Sequence, residues 1–208
     1  MSGDRVVGVL GGTFDPIHLG HLAAAEDARV QLDLDEILFV PNNVPPHKQN
    51  QAVTPSQHRV RMVELAIADN SNFRLCTIEL QRPGPSFTLD TLRLLRREYG
   101  GDARLVFLTG CDSLHGLHTW HQPDVLLDEF GIVLLDRPTD GEIDWVQLES
   151  RFPKIRRQTR IVPIPLLDIS SHDLRQRARK GLPIRYYVTP PVEKYILETG
   201  LYYQPRDP

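Results

Sequence analysis

The stretch Gly11-Gly-Thr-Phe-Asp-Pro-Ile-His-Leu-Gly-His21 follows the apolar run Arg5-Val-Val-Gly-Val-Leu10 and leads directly into a helix-forming segment. A β-branched run that ends in paired glycines is typical of a buried strand. The helix-forming segment is predicted over residues 19–32. A strand, a glycine turn and a helix in immediate succession indicate a βαβ unit, so this stretch decides the fold class.

The rest of the chain continues the alternation of strands and helices. Strands are predicted over residues 36–40, 74–80, 104–109, 131–135 and 161–164, and helices over 55–68, 88–99, 171–180 and 191–198. This order predicts an α/β, Rossmann-like, doubly wound fold with a mainly parallel sheet and helices on both faces. We expect one domain over residues 1–208, of which 165–208 form a small C-terminal helical part, and we assign no role to 138–158.

Composition excludes several classes of protein. The 208 residues are 40% hydrophobic and 25% charged, which is ordinary for a globular protein, and the formal net charge is −3. That charge argues against coating nucleic acid or an anionic membrane, and no apolar run approaches the roughly 18–20 residues of a membrane span. Cys76 and Cys111 cannot form a disulfide framework. We expect a cytoplasmic protein with no nucleic-acid or membrane partner; its oligomeric state stays open, a homo-oligomer included.

The glycine loop predicts a phosphate site. Gly11 and Gly12 let the backbone turn tightly and approach a ligand closely, and the helix that follows directs free N–H groups back at it. His18 and His21 stand at the mouth of that helix, where imidazole N–H groups can donate to phosphate oxygens. The alternatives are a zinc pair or two structural histidines. A zinc site needs further ligands, and only Asp15 lies nearby, so no protein-bound metal is predicted.

The sequence from Gly11 to Leu22 resembles the signature of the nucleotidyltransferase superfamily with the HxGH motif, here His18-Leu-Gly-His21. A wider set of motifs is similar to the bacterial nicotinate-nucleotide adenylyltransferase family, which joins nicotinate mononucleotide to ATP. The set comprises Pro41-Asn-Asn-Val-Pro-Pro-His-Lys48, Arg82-Pro-Gly-Pro-Ser-Phe-Thr88, Gly110-Cys-Asp-Ser113, Thr119-Trp-His121 and Ile169-Ser-Ser-His-Asp-Leu-Arg-Gln-Arg177. The first motif alone indicates only the superfamily, whereas the set together is specific to the family.

The resemblance implies roles for individual residues. It implies that His18 and His21 are catalytic, and that ATP is bound by Gly11, Gly12, Thr13, Phe14, His18, His21, Gly110, Ser170, Ser171 and Arg175. It implies that nicotinate mononucleotide is bound by Lys48, Thr88, Asp112 and Trp120, with the tryptophan over the nicotinate ring. Read without the resemblance, the two serines could simply cap a helix, Asp112 could be another N-cap, and Trp120 could be a core residue.

The resemblance also implies a reaction. The 5′-phosphate of nicotinate mononucleotide attacks the α-phosphorus of ATP, giving deamido-NAD and pyrophosphate in NAD biosynthesis. Mg²⁺ is expected with ATP, held by substrate and water. The alternatives are a superfamily enzyme acting on another phosphate acceptor, such as phosphopantetheine, and a nucleotide-binding sensor without turnover. The Thr119-Trp120 pair and residues 45–48 speak against another acceptor.

Overall fold

A parallel sheet of six strands organises the part of the chain that the structure, a computed structural model, describes: residues 5–43, 53–82, 84, 86–100, 103–137 and 142–203. The strands are β1 (Arg5–Gly12), β2 (Glu36–Pro41), β3 (Phe73–Leu75), β4 (Ala103–Gly110), β5 (Ile132–Asp136) and β6 (Thr159–Pro163). Their order is β3-β2-β1-β4-β5-β6, and every neighbouring pair is parallel.

Helices alternate with the strands, and the one between β4 and β5 was not predicted from the sequence. They are α1 (Leu19–Leu32), α2 (Ser56–Ile67), α3 (Thr88–Tyr99), α4 (Pro123–Phe130), α5 (Trp145–Arg151), α6 (Ile155–Gln158), α7 (Ser171–Arg179) and α8 (Pro190–Thr199), with a 3₁₀ segment over Cys111–Thr119. Alternate residues of the four central strands supply two separate cores, one on each face of the sheet. In β1, Leu10 packs in the core that includes α1, α2, α7 and α8, whereas Val7 and Val9 pack in the core that includes α3 and α4.

The topology confirms the predicted fold class. From β1 the chain first builds β2 and β3 on one side and then returns to build β4, β5 and β6 on the other. The strand order therefore reverses between β1 and β4, and ligands of such sheets bind outside the carboxyl ends of the strands at this point. Gly12 ends β1 and Gly110 ends β4, so both lie at that edge.

Two predictions about secondary structure need correction or completion. The strand predicted over 74–80 is wrong beyond Leu75, because the chain leaves the sheet and makes turns in which Leu80 N–H donates to the Thr77 carbonyl. Ile78 then packs in the core beside α3, which explains the alternating apolar pattern without a strand. The unassigned stretch 138–158 contains α5 and α6 among its described residues. None of the described helices has both the length and the apolar character needed to cross a bilayer.

Candidate active site

The loop after β1 is shaped by one ring that packs beneath it. Phe14 has a left-handed backbone (φ 49°), and its side chain is buried against Phe39 and edge-on to His21. A Cβ on Gly12 would lie 2.8 Å from the Phe14 ring, so glycine is required there. Because the Phe14 ring belongs to the core, any contact between this residue and a nucleotide has to come from its backbone.

The two histidines of the motif meet at the start of α1. His18 is the N-cap residue and is buried, and its ring stacks on that of His21 with centroids 3.7 Å apart. The His18 N–H donates to His21 Nδ1 at 3.3 Å. Since Nδ1 of a neutral imidazole accepts only when the proton is on the other nitrogen, His21 carries its proton on Nε2. A Cβ on Gly20 would stand 3.1 Å from His18 Nδ1, which explains the glycine inside the motif.

Both imidazoles are held neutral. Burial, and then the positive charge of Arg137, lower the pKa of His18 from 6.5 to about 4. Burial also lowers the pKa of His21 well below its usual value, with further contributions from His18 and Arg137. At neutral pH the pair therefore offers N–H donors without positive charge, and an arriving phosphate would favour protonation.

Hydrogen bonds to Asp15 and Pro16 hold the loop after β1 in place. The buried Asp15 carboxylate accepts hydrogen bonds from the Tyr202 hydroxyl at 2.6 Å and from the Thr54 N–H at 3.2 Å. From α7, Arg175 Nη1 donates to the Asp15 carbonyl at 2.7 Å, and the Ser171 hydroxyl donates to the Pro16 carbonyl at 2.8 Å. The second motif thus lies directly against the first.

Ser170 has a structural role in addition to its predicted one. It is the N-cap of α7, and its hydroxyl oxygen accepts a hydrogen bond from the Asp173 N–H at 3.1 Å. The same hydroxyl donates to the Asp173 carboxylate at 2.7 Å. The capping interpretation that the sequence left open is therefore confirmed for Ser170.

A cavity of about 240 Å³ opens where the strand order reverses. Gly11 and Gly12 line one part of it, and Thr88 and Trp120 line another. Trp120 follows the 3₁₀ segment, is half-buried, and packs edge-on against Phe107 with ring centroids 5.9 Å apart. The cavity therefore places the predicted nucleotide loop beside the predicted mononucleotide residues.

Glu79 and Asn42 are among the polar residues that line the cavity and that the sequence did not assign to the site. Glu79 is buried, which raises the pKa of its carboxyl, and it accepts a hydrogen bond from the Thr91 hydroxyl at 2.7 Å. Asn42 follows β2 and donates from Nδ2 to the Thr13 hydroxyl at 3.4 Å; its Oδ1 is buried and has no hydrogen-bond partner among the described residues. The position of Asn42 after the carboxyl end of a strand was a signal that could have identified it.

Other predicted residues lie outside the lining of this cavity. Gly110 occupies the N-cap of the 3₁₀ segment, and the exposed Asp112 lies in its first turn. A Cβ on Gly110 would lie 2.7 Å from the Asp112 carboxylate oxygen, so the two residues form one tight turn. The lining comes instead from their neighbours Thr109 and Ser113, whose hydroxyls are 2.8 Å apart. Lys48 lies outside the described residues.

Comparison with known proteins places the chain in a family. A family described as cytidylyltransferase-like matches residues 9–177. The chain is 45% identical over 196 residues to a probable nicotinate-nucleotide adenylyltransferase of Thermomicrobium roseum, covering 94% of this chain and 91% of that protein. It is 39% identical over 198 residues to the nicotinate-nucleotide adenylyltransferase of Bacillus subtilis, covering 95% and 98%. The chain belongs to the nicotinate-nucleotide adenylyltransferase family.

A solved structure related to this nicotinate-nucleotide adenylyltransferase family has the same fold. The Plasmodium falciparum nicotinic acid mononucleotide adenylyltransferase complexed with NaAD matches with a TM-score of 0.75 and 23% identity, covering 95% of this chain and 97% of that one. At this identity the likeness bears on the fold alone. It agrees with the six-stranded parallel sheet found among the described residues.

Proposed function

We propose that the chain transfers the adenylyl group of ATP to nicotinate mononucleotide, and that the glycine loop and the adjoining cavity carry out the transfer. The family membership supports the reaction. The observation that carries the site assignment is the stacked pair His18 and His21 at the start of α1. The loop before this helix follows Gly11 and Gly12, which end β1 and line the Trp120 cavity. The products are deamido-NAD and pyrophosphate.

The chemical step needs no covalent enzyme intermediate. The phosphate oxygen of the mononucleotide forms a bond to the α-phosphorus while the bond from that phosphorus to the pyrophosphate oxygen breaks. A phosphate dianion is already a nucleophile, so catalysis rests on positioning and on stabilising charge. In the proposal His21 donates from Nε2, and His18 from its ring, to the α-phosphate oxygens, where the N-terminus of α1 adds its dipole.

The departing pyrophosphate is assigned to the cationic side of the loop. Arg137, whose positive charge lowers the pKa of both imidazoles, is proposed to act on the triphosphate tail. Ser171 and Arg175 lie against the loop through Pro16 and Asp15. The remaining ATP contacts are proposed for Gly11, Gly12, Thr13, the Phe14 backbone, Gly110 and Ser170.

The acceptor is assigned to the Trp120 part of the cavity. An indole offers a flat apolar face on which the pyridine ring can stack. Helix α3 begins at Thr88, which lines the cavity. The first N–H groups of this helix have no partner within the helix and lie at this wall of the cavity. Such groups favour a carboxylate over a neutral amide, which supports selection of the nicotinate acid. Asp112 and Lys48 are proposed for the ribose hydroxyls and the phosphate.

Enzymes of the nucleotidyltransferase family generally use a divalent metal ion with ATP. We propose that the ion is Mg²⁺ and enters as part of the ATP substrate, bound by phosphate oxygens and water. The buried carboxylate of the loop, Asp15, is committed to Tyr202 and Thr54. We further propose that the site belongs to one domain over residues 1–208, since Leu174 and Ala178 of α7 pack in the same core as α1.

The test is a pyrophosphate-release assay with ATP and a panel of acceptors. Nicotinate mononucleotide should support rapid release, its amide should be slower by a large factor, and phosphopantetheine should be inactive. ATP binding without release with any acceptor would reject the proposal in favour of a sensor. Equal rates with the acid and the amide would reject the carboxylate assignment at α3 while leaving adenylyl transfer in place.

A further inference from the structure

Arg59 of α2 is a buried cation that lies behind the active-site loops. Its residue is only 1% exposed, although the neighbouring Arg61 on the same helix is exposed and pairs with Glu64. Burial lowers the pKa of the Arg59 guanidinium, and the Asp15 carboxylate opposes that change. Arginine is rarely fully buried unless its charge and donors are satisfied, so this position calls for an explanation.

The Arg59 guanidinium donates hydrogen bonds to backbone carbonyls of the loops. Nη1 donates to the Thr13 carbonyl at 2.9 Å, and Nε donates to the Thr54 carbonyl at 2.9 Å. Nη2 donates to the carbonyls of Asn42 at 2.9 Å and Asn43 at 3.2 Å. These acceptors come from three places in the chain: the loop after β1, the residues just after β2, and the segment just before α2. One rigid, planar fork therefore fixes three backbone segments relative to one another.

Two of these segments lead to the cavity, and the third, at Thr54, donates its N–H to the Asp15 carboxylate of the histidine loop. Thr13 lies between Gly12, which lines the cavity, and the loop that carries His18. Asn42 lines the same cavity, and its N–H donates to the Gly12 carbonyl at 3.0 Å. The ladder between β1 and β2 ends at the Gly12–Pro41 pair, and beyond it the guanidinium adds to the hydrogen bonds that Asn42 makes to Gly12 and Thr13.

We infer that Arg59 is a positioning residue for adenylyl transfer, which holds the histidine loop and the cavity wall at the separation that in-line attack requires. The inference rests on the proposed function, because it needs two substrates that meet between these segments. A misplacement of about 1 Å can lower a rate by about 100-fold, so a buried fork that fixes three carbonyls has a direct effect on the chemical step. Lysine has a point charge and no planar fork, and it cannot reproduce this pattern.

The test compares Arg59→Lys with Arg61→Lys, a matched control on the exposed face of the same helix. Folded fractions are measured by near-ultraviolet circular dichroism and urea titration, and rates are expressed per folded molecule. We expect Arg59→Lys to lower kcat by about 10- to 100-fold while KM for each substrate changes by less than about threefold. Arg61→Lys should stay within about twofold of the wild type. A kcat per folded molecule equal to that of the control would overturn the inference and leave a structural role only.

A second measurement uses the wild-type protein and does not depend on a variant that folds. The side-chain ¹H–¹⁵N signals of Arg59 should shift when nicotinate mononucleotide and a non-hydrolysable ATP analogue are added together, whereas those of Arg61 should not. Where Arg59→Lys folds, the imidazole signals of His18 and His21 in that variant should move relative to the Arg61→Lys control, as an additional readout. Unchanged Arg59 signals in the wild type would overturn the inference. A wild type that binds both ligands but releases no pyrophosphate would instead reject the proposed function.

Discussion

The imidazole rings of His18 and His21 lie stacked, with their planes 26° from parallel and their centroids 3.7 Å apart. Two positive charges at this distance would repel each other, and burial opposes even one of them. At neutral pH the pair is therefore a neutral donor set.

Stability should depend on the protonation of His18. The pKa is 6.5 in the unfolded reference and about 4 in the folded protein, so between these values the unfolded chain binds a proton that the folded one does not. The free energy of unfolding should then fall as the pH is lowered, by about 2 kcal/mol from this residue between about pH 7 and pH 5. Urea titrations of the wild type and His18→Asn measure it. Identical pH slopes in the two proteins would contradict the depressed pKa.

The same residue should act on the chemical step. His18→Ala should lower kcat far more than it raises KM for ATP, because the donor acts on charge that develops in the transition state. Loss of one such donor costs about 100- to 1,000-fold in kcat. His118→Ala, which alters an exposed histidine of the 3₁₀ segment, is the control and should leave kcat unchanged. A rise in KM at constant kcat would show that His18 only binds the ground state.

Trp120 should matter for one substrate and not for the other. Trp120→Ala removes the proposed stacking face, so the Kd of nicotinate mononucleotide should rise by about tenfold or more while that of ATP changes little. Trp145→Ala is the control, since this second tryptophan lies on α5, where Arg156 stands over its ring at 5.4 Å. Calorimetric titration of each substrate measures both constants. Equal losses for ATP and the mononucleotide would reject the stacking assignment.

The sheet could be predicted because its strands are nearly continuous apolar runs. In β1, Val7 and Val9 are buried on one face of the sheet and Leu10 is buried on the other. A strand that is covered on both faces leaves a continuous apolar signal in the sequence. The wrong prediction of a strand over residues 76–80 also arises from the burial of apolar residues. Ile78 is buried by α3 and not by strand pairing, and alternation alone does not distinguish the two kinds of burial.

The sequence indicates residues of the candidate site where they share a short motif, and it gives no signal for residues that only the fold brings to the site. The histidine pair, Ser171 and Arg175 lie within short motifs, and the structure brings both motifs together through Asp15 and Pro16. Arg59 is different, because its four acceptors lie up to 46 residues away in the chain. An arginine in a helix predicts an exposed side chain, so no local pattern indicates that this one is buried.

Tyr202 should stabilise the histidine loop from the far end of the described chain. Its hydroxyl donates to the buried Asp15 carboxylate at 2.6 Å, and burial together with that negative charge raises the tyrosine pKa, so the hydroxyl keeps its proton at alkaline pH. Tyr202→Phe leaves the carboxylate with the Thr54 N–H at 3.2 Å, and an underpaired buried charge costs about 1–3 kcal/mol. The melting temperature should fall by several degrees, while Tyr186→Phe, at a residue 84% exposed, should leave it unchanged. If the two variants melt together, Asp15 is not held by Tyr202, and the loop that bears His18 must be fixed by Arg59, Ser171 and Arg175 alone.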